Sequence, residues 1–135
     1  MKHLALVTGL FALLAGSSVH AQSINLTATI PFDFQAGDKL MPAGDYKVQP
    51  SAGVVLIRQA SGDKSVYLLT NPDHRNGEAR TGSLEFKKYG QAYFLSKIWT
   101  AGIHDGRSLP MTSREKEMAR SSGFVQTASV PISSR

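Results

Sequence analysis

Two histidines are the first candidates for chemistry in this sequence. His74 follows Asp73 in a polar stretch, and His104 precedes Asp105 near two glycines. Polar loops of this kind often carry binding or catalytic residues. A zinc site would need a third protein ligand, which the spacing does not supply, and the chain has no cysteine. The pattern indicates two loop histidines and predicts neither a metal site nor a cofactor.

The sequence contains the residue types that hydrolases use, but it does not contain them in a catalytic motif. Serines are frequent, yet none lies in the Gly-x-Ser-x-Gly turn that exposes a nucleophile. Paired carboxylates for glycoside hydrolysis would have to come from Asp33, Asp45, Glu78 or Glu85. No Gly-rich phosphate loop is present. We therefore expect no catalysis, and a small periplasmic hydrolase with a cleft joining residues 71–82 and 101–110 is the less favoured alternative.

Three residues of one apolar segment form a speculative ligand-binding set, namely Tyr93, Lys97 and Trp99. Aromatic rings beside a polar group are typical of sites for carbohydrates and hydrophobic ligands. Lysine is rarely buried, so Lys97 indicates that the face we expect all three to share is partly open. The alternative is that the rings belong to the core, because nearly all aromatic residues fall on predicted strands.

The elements that must position these residues are β-strands. Apolar residues recur at every second position from Ile24 to Phe34, which is the pattern of a half-buried strand. Pro31 interrupts this strand and predicts an edge position or a bend, because proline donates no ladder hydrogen bond.

Further strands are predicted between Gly- and Pro-rich turns, over residues 45–49, 54–59, 65–70, 83–89 and 91–100. About six short strands predict an all-β fold, either an antiparallel β-sandwich or a small barrel. The β domain is expected to cover residues 22–111.

The segment after the predicted β domain has a different composition. Thr112 followed by Glu115 three residues on is a capping box and predicts a short helix over residues 112–120. Residues 121–135 are serine-rich with almost no charge. We expect them to form a disordered, flexible tail.

Residues 1–21 have the order of a secretory signal peptide. A basic start precedes the apolar run Leu4–Leu14, and Val19 and Ala21 occupy the small-residue positions before Gln22. A run of about eleven residues is too short to span a hydrocarbon core of about 30 Å as a helix. We expect cleavage before Gln22, a periplasmic or secreted protein, and no transmembrane segment in the mature chain.

The charge of the chain is moderately basic, with 15 Lys and Arg against 10 Asp and Glu in 135 residues. Most of the excess lies in residues 107–135, where it suits either a surface for anionic groups or a solvated face. No basic stripe with interleaved exposed aromatics is present, so we expect no nucleic-acid partner. An envelope lipid, glycan or protein is the expected class of partner.

The order of several motifs resembles that of a family of small exported β-proteins of soil bacteria. These motifs are Pro31–Phe34, Met41–Tyr46, Tyr93–Trp99, Gly106–Pro110 and Ser113–Glu117. The resemblance implies export and a β domain, and it brings no activity, cofactor or catalytic residue. We expect an exported β domain with a non-catalytic binding or structural role in the cell envelope, or alternatively a binding protein for a small lipid or glycan.

Overall fold

A computed structural model describes residues 25–77, 81–102 and 105–134, which form eleven β-strands and one α-helix. The strands are β1 (Leu26–Ile30), β2 (Phe34–Ala36), β3 (Lys39–Met41), β4 (Gly44–Ser51), β5 (Val54–Gln59), β6 (Ser65–Leu69), β7 (Asn71–His74), β8 (Gly82–Tyr89), β9 (Ala92–Trp99), β10 (Asp105–Ser108) and β11 (Gln126–Ser134). The helix is α1 (Ser113–Ser122). The prediction of an all-β fold with a short helix is confirmed, whereas the prediction of about six strands is wrong.

The strands form one nearly closed, barrel-like sheet. Its order is β3-β2-β9-β8-β11-β1-β4-β5-β6, with β10 alongside β9 and β7 alongside β10. The end strands β3 and β6 approach each other where Lys39 Nζ donates to the Ser65 carbonyl oxygen at 2.9 Å. We call this gap the β3–β6 seam. A side chain bridges it, so the strands there are farther apart than the roughly 4.8 Å at which backbones pair.

The core lies on the inner face of this sheet. Phe34 is fully buried and meets the rings of Tyr46 and Phe86 edge-on, with centroids 5.3 and 5.4 Å apart. The other large side chains that are almost completely buried are Ile30, Met41, Ile57, Leu84, Ile98, Val48 and Val55. Edge-on contacts between rings add to the stabilisation that apolar burial provides.

The long strand predicted over residues 24–34 is divided at Pro31. β1 ends at Ile30 and lies between β4 and β11, while β2 begins at Phe34 and pairs with β3 and β9. Asp33 holds the crossing segment, because its Oδ1 accepts the Ala43 N–H at 2.8 Å. The bend predicted from Pro31 is therefore present.

The C-terminal segment corrects the prediction of a disordered tail over residues 121–135. β11 lies between β8 and β1, with Val130 and Ile132 buried. Pro131 pairs with Ser83 on β8 and lies one position beyond the end of the ladder with β1, which stops at Ile132. The β domain therefore does not stop at residue 111. The predicted signal peptide, residues 1–21, lies outside the described residues.

Helix α1 begins where the capping box places it. Thr112 Oγ1 accepts the Glu115 N–H at 3.2 Å, as an N-cap residue does. The Glu115 side chain is buried, and Tyr89 Oη donates to it at 3.3 Å. The helix thus contacts β8 and covers part of the outer face of the sheet. Within the three described ranges, no helix is long and apolar enough to cross a membrane.

Candidate functional site

Two segments predicted to be loops form strands that assemble the candidate site. β7 runs antiparallel to β10, and β10 also runs antiparallel to β9. This region, which we call the β7–β9–β10 corner, brings His74 and Asp105 close to Lys97 and Trp99. The prediction of loops is wrong for residues 71–74 and 105–108, while His104 lies outside the described residues.

The two faces of the corner carry different residues. Side chains that are directly opposite on paired strands share a face. Ile98 belongs to the core cluster, so its partner Arg107 lies on the inner side of the sheet. Trp99 pairs with Gly106, which in turn pairs with Asp73, so these three lie on the outer side.

On the outer face, Asp73 and Lys97 form an ion pair. Lys97 Nζ lies 3.1 Å from Asp73 Oδ2, and the His74 backbone N–H donates to Asp73 Oδ1 at 2.8 Å. The hydrogen bond from Lys97, followed by that from the His74 backbone, lowers the pKa of Asp73 below its usual value. The charge of Lys97 is therefore already engaged within the protein.

Trp99 is covered, with 4% of its surface exposed. Its ring packs against β10 at Gly106, where any Cβ would overlap it. The Arg75 guanidinium lies over the ring, 4.8 Å from the centroid, and Lys97 Nζ lies 5.6 Å away. Arg75 Nε and Nη2 are buried and have no hydrogen-bond partner among the residues that the structure describes. These nitrogens form the edge of a guanidinium that binds carboxylate or phosphate in bidentate fashion.

A groove of about 560 Å³ opens at the corner and takes residues from both sides of the sheet. Its lining consists of Pro50, Ser51, Pro72, Asp73, Ile98, Thr100, Asp105, Gly106 and Arg107. Arg107 Nη1 donates to Thr70 Oγ1 at a long 3.4 Å. The groove therefore combines apolar walls with one cation, Arg107, and two carboxylates, Asp73 and Asp105.

Each carboxylate of the corner has a side-chain partner, whereas two of its cations have no carboxylate partner among the described residues. Asp73 pairs with Lys97, and Asp105 Oδ1 lies 3.0 Å from His74 Nδ1. In the part of the chain that the structure describes, neither Arg75 nor Arg107 has a carboxylate within ion-pair distance. The unbalanced charge of the corner is thus positive and resides on guanidinium groups.

Tyr93, the third residue predicted to bind a ligand, is not at the corner. Its ring stacks on Phe32 with centroids 3.7 Å apart and packs against the inner core. A register shift between β8 and β9 leaves Ser96 unpaired. A β-bulge of this kind moves the following residues to the other face. The structure therefore separates Tyr93 from Lys97 and Trp99, and the shared face expected from strict alternation is absent.

Arg75 and Arg107 are the site residues that the sequence did not reveal. Both lie in polar, loop-like segments in which no apolar alternation marks a strand. Alternation along residues 71–75 places Asp73 and Arg75 on one face, but this becomes informative only once β7 is known to pair with β10.

Over residues 25–77, 81–102 and 105–134, no group of three His, Asp or Glu side chains is arranged to hold a metal ion. Comparisons of the chain with protein-family models, with curated proteins and with solved structures found no match.

Proposed function

We propose that the protein is an exported, non-catalytic binding domain of the cell envelope that holds a small organic anion in the groove of the β7–β9–β10 corner. Export rests on the leader pattern of residues 1–21 and on the motif order described above. Anion binding rests on one observation, which is that Arg107 lines the groove without a carboxylate partner among the described residues.

The charge of Arg107 supports this proposal. A guanidinium keeps its charge at all physiological pH values, and its planar donors match carboxylate, phosphate and sulfate. Its hydrogen bond to the Thr70 hydroxyl is long and leaves the charge uncompensated. A bound anion would compensate this charge.

The walls of the groove define the rest of the ligand. Pro50, Pro72 and Ile98 provide apolar surface, and the Ser51 and Thr100 side chains lie in the same lining. This combination suits an acyl chain with an acidic head or an acidic sugar, since both join an anionic group to a body with apolar surface. The common chemistry is one anionic group and a body that fits about 560 Å³.

Calorimetric titration of the mature protein with dodecanoate, glucuronate and inorganic phosphate tests the proposal and distinguishes the two sources. If the natural ligand is an acyl chain, we expect dodecanoate alone to bind. If it is an acidic sugar, we expect glucuronate to bind. Arg107→Gln should weaken binding about tenfold or more, because a charge-assisted hydrogen bond is lost. Trp99, the only tryptophan, gives a fluorescence signal beside the groove.

Arg114→Gln is the matched control, because it removes the same charge from an exposed position on α1. It should leave the affinity unchanged. Equal weakening by both variants would show non-specific attraction to a basic protein. If none of the three anions bound the wild-type protein, the proposal would be wrong.

A hydrolase is the second candidate, because the two segments that it requires do meet. His74 Nδ1 and Asp105 Oδ1 lie 3.0 Å apart, and both Asp105 and Ser51 belong to the lining of the groove. A base held by a carboxylate beside a hydroxyl is the basic arrangement for acyl transfer. Turnover of ester or phosphoester substrates that His74→Ala abolishes would favour this function over simple binding.

A further inference from the structure

The backbone of β6 has a free edge whose hydrogen-bonding positions can be assigned. Of the strands in the described ranges, β5 is the one that pairs with β6. Gln59 N donates to Lys64 O at 2.9 Å, and Thr70 N donates to Gly53 O at 3.0 Å. Hydrogen-bonded pairs alternate with non-bonded pairs along an antiparallel ladder. The even-numbered residues of β6 therefore face β5, and the odd-numbered residues direct their N–H and C=O groups away from the sheet.

The odd-numbered residues are Ser65, Tyr67 and Leu69. The Ser65 carbonyl accepts the bond from Lys39 Nζ across the β3–β6 seam, which confirms that this edge points outward. In the described ranges, the backbone groups of Tyr67 and Leu69 have no such partner. A groove of about 450 Å³ runs along the seam beside these two residues.

The same residues expose apolar side chains on the outer face. Tyr67 is 72% exposed and Leu69 is 75% exposed, and the two lie on the same face of β6 as an exposed apolar patch. Their partners on β5 are Leu56 and Val54, which are only partly buried. The outer face of β5 and β6 is therefore apolar at this end, and the adjacent backbone edge is open.

The other end of this surface is basic. Lys47 and Arg58 are exposed and lie directly opposite each other on β4 and β5, in the row that continues to Ser65. Like charges opposite each other on a sheet are unfavourable. Neither residue, nor Lys39 at the seam, has a carboxylate within ion-pair distance among the described residues. A carboxylate beside Ser65 would relieve this repulsion.

We propose that an extended segment of a partner polypeptide adds to β6 as an antiparallel strand at the β3–β6 seam, which is a surface distinct from the anion groove. Residues opposite Leu69, Tyr67 and Ser65 follow one another at every second position of such a strand. The partner segment therefore has the order apolar-x-apolar-x-acidic. Main-chain bonds give the affinity of such strand addition, and alternate side chains give the specificity.

Fluorescence anisotropy with the mature protein and the labelled peptide acetyl-TVTVTET-amide tests this inference. A second peptide carries N-methyl groups on both valines, whose N–H groups would face β6, and a third carries lysine in place of glutamate. We expect the first peptide to bind and the other two to bind at least tenfold more weakly. The N-methylated peptide uses the unmodified protein, so its result does not depend on whether a variant folds.

Tyr67→Pro removes an N–H from the free edge without breaking the β5 ladder, whereas Tyr67→Val keeps this N–H. The proline variant should lose peptide binding, and the valine variant should keep most of it. Equal binding of the N-methylated peptide would overturn the inference. Two further results would also overturn it. One is that the protein binds anionic phosphatidylglycerol vesicles and Tyr67→Pro binds them equally well. The other is that the protein forms dimers and added peptide does not reduce the dimer fraction.

Discussion

Glu115 takes part in the helix cap through its backbone and in the contact between α1 and β8 through its side chain. Its backbone N–H is held by the helix cap at Thr112, while its carboxyl is buried against Tyr89 instead of returning to the cap. Burial raises the pKa of Glu115, and the nearby charge of Lys87 and the bond from Tyr89 oppose this rise. The side chain thus fixes α1 to β8 through a contact that depends on its protonation.

The stability of the protein should therefore depend on pH through Glu115. The native state binds this proton more tightly than the unfolded chain, so its contribution to the free energy of unfolding is present below about pH 4.5 and is lost as the pH rises through the raised native pKa. Glu115→Gln should remove this loss. In urea unfolding between about pH 4 and pH 7, the wild-type midpoint should fall relative to that of the variant.

Glu117→Gln is the control, because Glu117 is exposed on the same helix. Its midpoint should follow the wild-type protein across this range of pH. If the urea midpoints of the wild type and of Glu115→Gln changed with pH in parallel, the assigned role of Glu115 would be contradicted.

Among the elements, β11 lies at the middle of the strand order. It joins β8 to β1, and without it the sheet would divide into two parts of four strands along this order. Val130 lies in the core and pairs with buried Leu84, whereas the neighbouring Ser129 faces outward and pairs with Glu85.

A lysine at each of these adjacent positions tests β11. Val130→Lys should destabilise the protein by several kcal/mol, because it buries an unpaired charge. Ser129→Lys should change stability by less than about 1 kcal/mol, since it places a cation opposite Glu85 at the surface. Thermal unfolding measures both. If both variants unfolded at the same temperature as the wild-type protein, β11 would not be an integral strand of the sheet.

Sequence periodicity predicts the strands that are amphipathic and misses those that are not. β5 and β8 carry a continuous apolar run or alternate apolar and polar residues, and they lie within one residue of where they were predicted. β1 occupies the first part of the strand predicted over residues 24–34. β7 and β10 have almost no apolar residues, and only pairing with each other and with β9 makes them strands. The bulge at Ser96 is likewise a property of pairing. The face that Tyr93, Lys97 and Trp99 were expected to share is absent for the same reason, because that expectation depended on strict alternation.

At the scale of the whole molecule, the leader pattern makes a prediction about processing. The protein exported from a bacterial host should begin at Gln22, because the small residues Val19 and Ala21 precede this position. Intact mass spectrometry of the exported fraction measures the first residue. Ala21→Arg should block cleavage and leave the precursor, whereas Ser23→Arg should be processed. An exported product that retained residues 1–21 would contradict the assignment.

The adjacency of β1 and β11 has a consequence for how the chain acquires its structure. The hydroxyls of Thr27 and Ser133 lie 3.1 Å apart, although 106 positions separate them in sequence. Contacts between such distant segments form slowly, because the entropy of closing a long loop is lost before the pairing is gained. A chain that emerges from its amino terminus therefore lacks a completed sheet until residues 126–134 have emerged. If the chain is exported as proposed, this delay would keep it extended during translocation, as passage through a narrow pore requires.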